Sequence, residues 1–112
     1  MGAIGRVSQK HFEQSVLRGV TLVDFDAPWC GPCRTQKPII DALKKNYSGK
    51  AVIQKINIDE NQDIAMHLGI QSIPTIILYK DGREMDRFIG VQTAGTLTKA
   101  LKKLIDLPRH FN

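Results

Sequence analysis

Apolar residues recur along this chain in two rhythms, short continuous runs and helical stripes, and the order of the two predicts the architecture. Phe12, Val16 and Leu17 fall on one helical face behind Ser8, whose hydroxyl can cap the free amides of a first turn, and the stripe stops at Gly19. The run Val20-Thr21-Leu22-Val23-Asp24-Phe25 is strand-sized and almost wholly apolar, the pattern of a parallel strand covered on both faces. Asp24 is the anomaly in it. Ile39, Ile40, Leu43 and Tyr47 then recur at helical spacing within 31–47, and Pro38 is expected to kink that helix by deleting a backbone donor. Residues 51–58 read as a second strand, so the strand, helix, strand order predicts a parallel crossover.

The second half alternates in the same way. Asn61 stands where it can cap a helix with Ile64, Ala65 and Leu68 as its apolar stripe, and Gly69 is placed to end it. Pro74 opens the strand Ile76-Ile77-Leu78-Tyr79, and Asp81-Gly82 is a dipeptide that favours a tight hairpin into a return strand through Met85, Phe88 and Ile89. Leu97, Ala100, Leu101, Leu104 and Ile105 mark a last helix with Lys99, Lys102 and Lys103 outward and Pro108 beyond its end, after which the tail is expected to be loose. No repeat or linker interrupts the pattern. It predicts one α/β domain over 1–112, a mixed sheet with helices on both faces.

Composition narrows the function. With 112 residues, 42% hydrophobic and 24% charged, the chain falls in the globular range and is too short for a two-domain enzyme. Its apolar runs are far below the roughly 20 residues that cross a bilayer, and its opening lacks the basic-then-apolar layout of a secretory signal. No membrane association and a cytoplasmic address are the expectations. The net charge of +5 is spread among acids, and Lys44-Lys45 and Lys102-Lys103 sit between apolar helix positions, so solvated faces are expected and nucleic acid is not.

Both cysteines lie in Trp29-Cys30-Gly31-Pro32-Cys33. A bridge enclosing two residues restricts the unfolded chain almost not at all, which makes a structural staple a poor explanation. Structural zinc wants four ligands, and His11, His67 and His110 are too scattered to complete a set, so no metal is expected. Gly and Pro between the cysteines place the pair at a turn into a helix, where a thiolate faces free amides and the positive end of the helix dipole. Cys30 is therefore the candidate nucleophile. Cys33, one turn on, is close enough to close a disulfide with it and is the candidate resolving thiol.

With Val23-Asp24-Phe25, the segment 27–34, Pro38, Lys55-Ile56-Asn57-Ile58-Asp59, Gly69-Ile70, Ile73-Pro74-Thr75 and Gly90, the chain resembles the thioredoxin family over nearly its whole length. The resemblance implies a five-stranded mixed sheet in the order 1-3-2-4-5 flanked by four helices. It also implies a general protein-disulfide reductase working through Cys30 and Cys33 in cell redox homeostasis. No bound cofactor is implied. The expected partners are disulfide-containing client proteins and an NADPH-dependent flavoprotein reductase, and a monomer is expected. By the same resemblance Asp24 is a buried base that takes the resolving thiol's proton, approached by Lys55. Burial would raise its pKa toward the working pH. Pro74 would be cis, with the Ile73 backbone pairing an extended substrate. Trp29, Gly31, Pro32, Ile73, Pro74, Gly90 and Val91 would form the substrate-binding surface.

The chain also departs from the family pattern. Asp26 stands where many bacterial members have Trp, and a carboxylate there would oppose the Cys30 thiolate. Ser72 replaces a frequent Gly, and Arg34 keeps the charge of the commoner Lys. Two other readings stay open on residues alone. One is a binding subunit that uses the same fold without turnover. The other is an oxidase or isomerase, although those usually carry His just before the second cysteine, where this chain has Pro32.

Overall fold

In a computed structural model, residues 6–108 are described, and the chain past Pro108 lies outside them. Helix α1 (Gln9–Ser15) begins at Ser8, whose hydroxyl accepts from the His11 amide at 3.0 Å. Strand β1 (Val20–Asp26) leads through a short loop to α2 (Gly31–Asn46), which runs through Pro38. Strand β2 (Val52–Asn57), α3 (Gln62–His67), the hairpin β3 (Thr75–Lys80) and β4 (Arg83–Ile89), and α4 (Ala94–Asp106) complete the order. No helix among the described residues is long and apolar enough to cross a membrane.

The sheet order is β2-β1-β3-β4, with β1 parallel to β2 and β3 antiparallel to both β1 and β4. The fold class is the expected one, but the described residues hold four strands and not five. Deleting the first strand from the order 1-3-2-4-5 leaves 3-2-4-5, which is the arrangement observed. Asp81 and Gly82 both take positive φ, 50° and 86°, the backbone of the hairpin turn their dipeptide favours.

The two faces of β1 carry separate cores. Val20 and Leu22 pack with Ile40 and Leu43 of α2 and Leu97, Leu101 and Leu104 of α4. Val23 and Phe25 pack on the other face with Phe12 and Val16 beside α1 and Ile64 of α3. Two local expectations fail. Leu17 is 52% exposed, because α1 ends at Ser15 and the helical stripe does not extend to it. Asn61 stands at the start of α3, but its buried side chain accepts from the Val7 amide at 2.7 Å and donates to the Asn57 carbonyl at 2.9 Å, and it makes no cap bond to the helix. It ties the N-terminal segment to the end of β2 instead.

Leu101→Ala is expected to destabilise the fold by about 3 kcal/mol, since it empties a fully buried site, whereas Leu17→Ala should cost less than about 1 kcal/mol. Urea midpoints of the two variants check the difference, and equal shifts would contradict the two-face core.

Candidate active site

Helix α2 starts at Cys30, which holds the extended N-cap conformation, with Gly31 and Pro32 as the first helical residues. Pro32 loses nothing there because first-turn amides have no partner inside the helix. The amide of Cys33 is aimed at the Cys30 sulfur at 3.2 Å. Cys30 and Cys33 are joined as a disulfide, with Cα atoms 5.3 Å apart. Both are buried beside Ala27, Ile58 and Ile73.

Around the pair the surface is apolar and open. Trp29 is 64% exposed, so it is a surface residue and not core filler. Its indole N–H donates to Asp59 Oδ2 at 2.8 Å, which holds the ring beside the cysteines. The Ile73-Pro74 bond is cis, and the Ile73 carbonyl oxygen lies 3.7 Å from Cys30 Sγ. Gly90 donates its amide to the Pro74 carbonyl at 2.8 Å, bringing Gly90 and the exposed Val91 alongside the same segment. The φ of Gly90 is 92°, a backbone that side chains disfavour.

Behind the pair is a polar recess. A cavity of about 280 Å³ is lined by Asp26, Cys33, Arg34, Lys37 and Lys55, with Ala27, Pro28 and Asn57. Asp24 lies on the same face of β1 as Asp26, is 1% exposed, and faces Lys55 and Ile76 in the sheet register. Burial, followed by the Asp26 carboxylate, pushes its pKa from 3.8 up to about 7 against the pull of the Lys55 ammonium, and Asp41 adds a smaller upward push. Burial also raises the pKa of half-buried Asp26, opposed by Lys55. Lys55 forms its ion pair with Asp41 at 3.0 Å, an oxygen pair that Lys37 shares at 2.8 Å, so it acts on Asp24 through its field. The structure thus places an apolar rim in front of the sulfurs and a charged recess lined by Cys33 and Lys55 behind them, with Asp24 buried outside that lining on the strand face it shares with Asp26. The sequence reading missed Asp41, Asp59 and Gln36. A polar residue at the inward spacing Cys33, Gln36, Ile40, Leu43 was the one available signal for Gln36.

Because the folded-state pKa of Asp24 lies above its unfolded value, the folded chain binds the proton more tightly. The stability this adds is full below about pH 4 and is lost as pH rises through about 7. Asp24→Asn should remove most of that slope and raise stability at pH 8 by up to roughly 4 kcal/mol, read from urea unfolding at pH 4 and pH 8. An unchanged slope in the variant would exclude Asp24 as its source.

Comparison with known proteins places this geometry. The family model described as Thioredoxin matches residues 3–103. Thioredoxin 1 of Nostoc sp. is 42% identical over 105 residues, covering 92% of this chain and 98% of that protein. The thioredoxin of Staphylococcus haemolyticus is 42% identical over 101 residues, covering 90% and 97% respectively. Among solved structures, a mutant thioredoxin from Halobacterium salinarum superposes with a TM-score of 0.82 at 30% identity, covering 92% of this chain and 90% of the other.

Proposed function

The chain belongs to the thioredoxin family and is a protein-disulfide reductase, and on that premise we propose how its residues divide the reaction. The observation that carries the proposal is the bonded pair across the first turn of α2, with the Cys33 amide directed at Cys30 sulfur. In the reduced protein that amide and the helix dipole favour the Cys30 thiolate. The thiolate attacks one sulfur of a client disulfide, forming a mixed disulfide and releasing the first client thiolate. Cys33 then gives its proton to Asp24 by way of water, and its thiolate attacks Cys30 sulfur. The second client thiolate leaves. The client has gained two electrons, its two thiolates take up one proton from Asp24 and one from solvent, to which Cys30 had lost its own, and Cys30 and Cys33 are left joined.

A base suited to that step needs a pKa near the operating pH, and the burial of Asp24 supplies one of about 7. Lys55 keeps the ionised carboxylate tolerable from the neighbouring strand. Gly31 and Pro32 expose the turn. Trp29, Ile73, Pro74, Gly90 and Val91 receive an extended client segment, whose backbone pairs with Ile73 as an added strand beside Cys30. Electrons pass from sulfur to sulfur, so these steps call on no resident cofactor. A flavoprotein reductase drawing on NADPH returns the pair to the dithiol. We assign the protein to the cytoplasm, as a monomer of one domain.

Cys33→Ser is expected to accumulate a mixed disulfide with insulin, visible as a mass increase reversed by dithiothreitol. Cys30→Ser should neither trap nor reduce insulin. Sustained turnover by either variant would overturn the division of roles.

A further inference from the structure

Helix α2 turns Cys33, Gln36, Ile40 and Leu43 inward, and Gln36, the carboxamide in this stripe, is wholly buried. A buried amide is costly unless both ends are paired. Gln36 Nε2 donates to the Gln92 carbonyl at 3.0 Å, and its Oε1 accepts from the Gln92 amide at 2.7 Å. The side chain thus closes a ring on the backbone of one residue, as a neighbouring strand would.

Gln92 belongs to the connection between β4 and α4, together with Gly90 and Val91. Its own Nε2 donates to the Gly90 carbonyl at 3.2 Å, and the Gly90 amide donates to the Pro74 carbonyl at 2.8 Å. The connection is therefore held at two points, on the cis-proline segment and on the catalytic helix one turn past Cys33.

We propose that Gln36 is a positioning residue for client recognition: its carboxamide grips the Gln92 backbone and fixes Gly90 and Val91 at one height against Cys30, so that affinity for protein disulfides depends on it. The inference rests on reading Gly90 and Val91 as part of the client-binding surface. Without the grip the connection samples other positions, and apparent affinity falls by the fraction of time it is misplaced. A small disulfide that touches only the sulfurs does not sense the connection. A purely structural glutamine would lower stability and affect both substrates alike.

Gln36→Met keeps length and bulk without either hydrogen bond, and Gln36→Glu keeps the acceptor and loses the donor. Gln36→Met is expected to raise KM for insulin about tenfold with kcat within about twofold, and to change KM for dithiobis-nitrobenzoate by less than about twofold. Gln36→Glu should fall between. Hydrogen exchange should speed up at the Gln92 amide while Ile40 and Leu43 stay protected. An unchanged KM for insulin, equal losses on both disulfides, or faster exchange along all of α2 would overturn the proposal. If Gln36→Met does not fold, the same readings on Gln36→Glu decide it. Val91→Asp separates the two levels. If it leaves KM for insulin unchanged, the surface reading fails and the proposal with it. If it raises KM while both Gln36 variants do not, the surface reading stands and the role of Gln36 fails.

Discussion

Strand β1 is hydrogen-bonded on both edges and covered on both faces, and this double confinement determines where every reactive group can stand. Its side chains alternate between the two cores, so the register that sends Val23 and Phe25 toward α1 and α3 sends Asp24 and Asp26 toward α2. A slip of one residue would place Asp24 among the aromatic side chains of Phe12 and Tyr79 and expose Phe25 to the charged recess. The strand's end also fixes the origin of the loop that delivers Cys30 to the cap of α2.

The recess behind the sulfurs is built from opposing charges that do not pair off one to one. Lys55 faces Asp24 across the ladder but bonds Asp41, which Lys37 also holds. Asp24 is left with burial as the dominant influence and with Asp26 as a second negative neighbour. A tight ion pair would have held Asp24 ionised in the ordinary carboxylate range. The looser arrangement leaves it able to exchange a proton in neutral solution. Asp26, which departs from the family pattern, therefore acts on the buried carboxyl, adding to the upward push of burial.

What the sequence disclosed was mostly local. The Asp81-Gly82 turn, the cap at Ser8, the cysteine pair and the apolar stripes of α2 and α4 each follow from neighbours a few residues apart, and the structure contains them all. The failures come from range and length. Leu17 had the right spacing for a helix that stops too soon. Asn61 had a free helix end within reach, but a contact 54 residues away won its side chain. The partnerships of Trp29 with Asp59, Lys55 with Asp41 and Gln36 with Gln92 join residues far apart in the chain, and only the packed sheet and helices make them neighbours. The fifth strand was implied by kinship alone.

The two ends of β1 are finished differently. At its start, Asp81 Oδ1 accepts from the Gly19 amide, the Asp81 amide donates to the Gly19 carbonyl, and the Gly82 amide donates to the Val16 carbonyl. That end spends these main-chain polar groups on itself. About 20 Å away, at the reactive end, the carbonyl of half-buried Ile73 lies beside the Cys30 sulfur. The two ends of β1 thus leave their main chain in different states, one closed on its own turn and the other set next to a reactive sulfur.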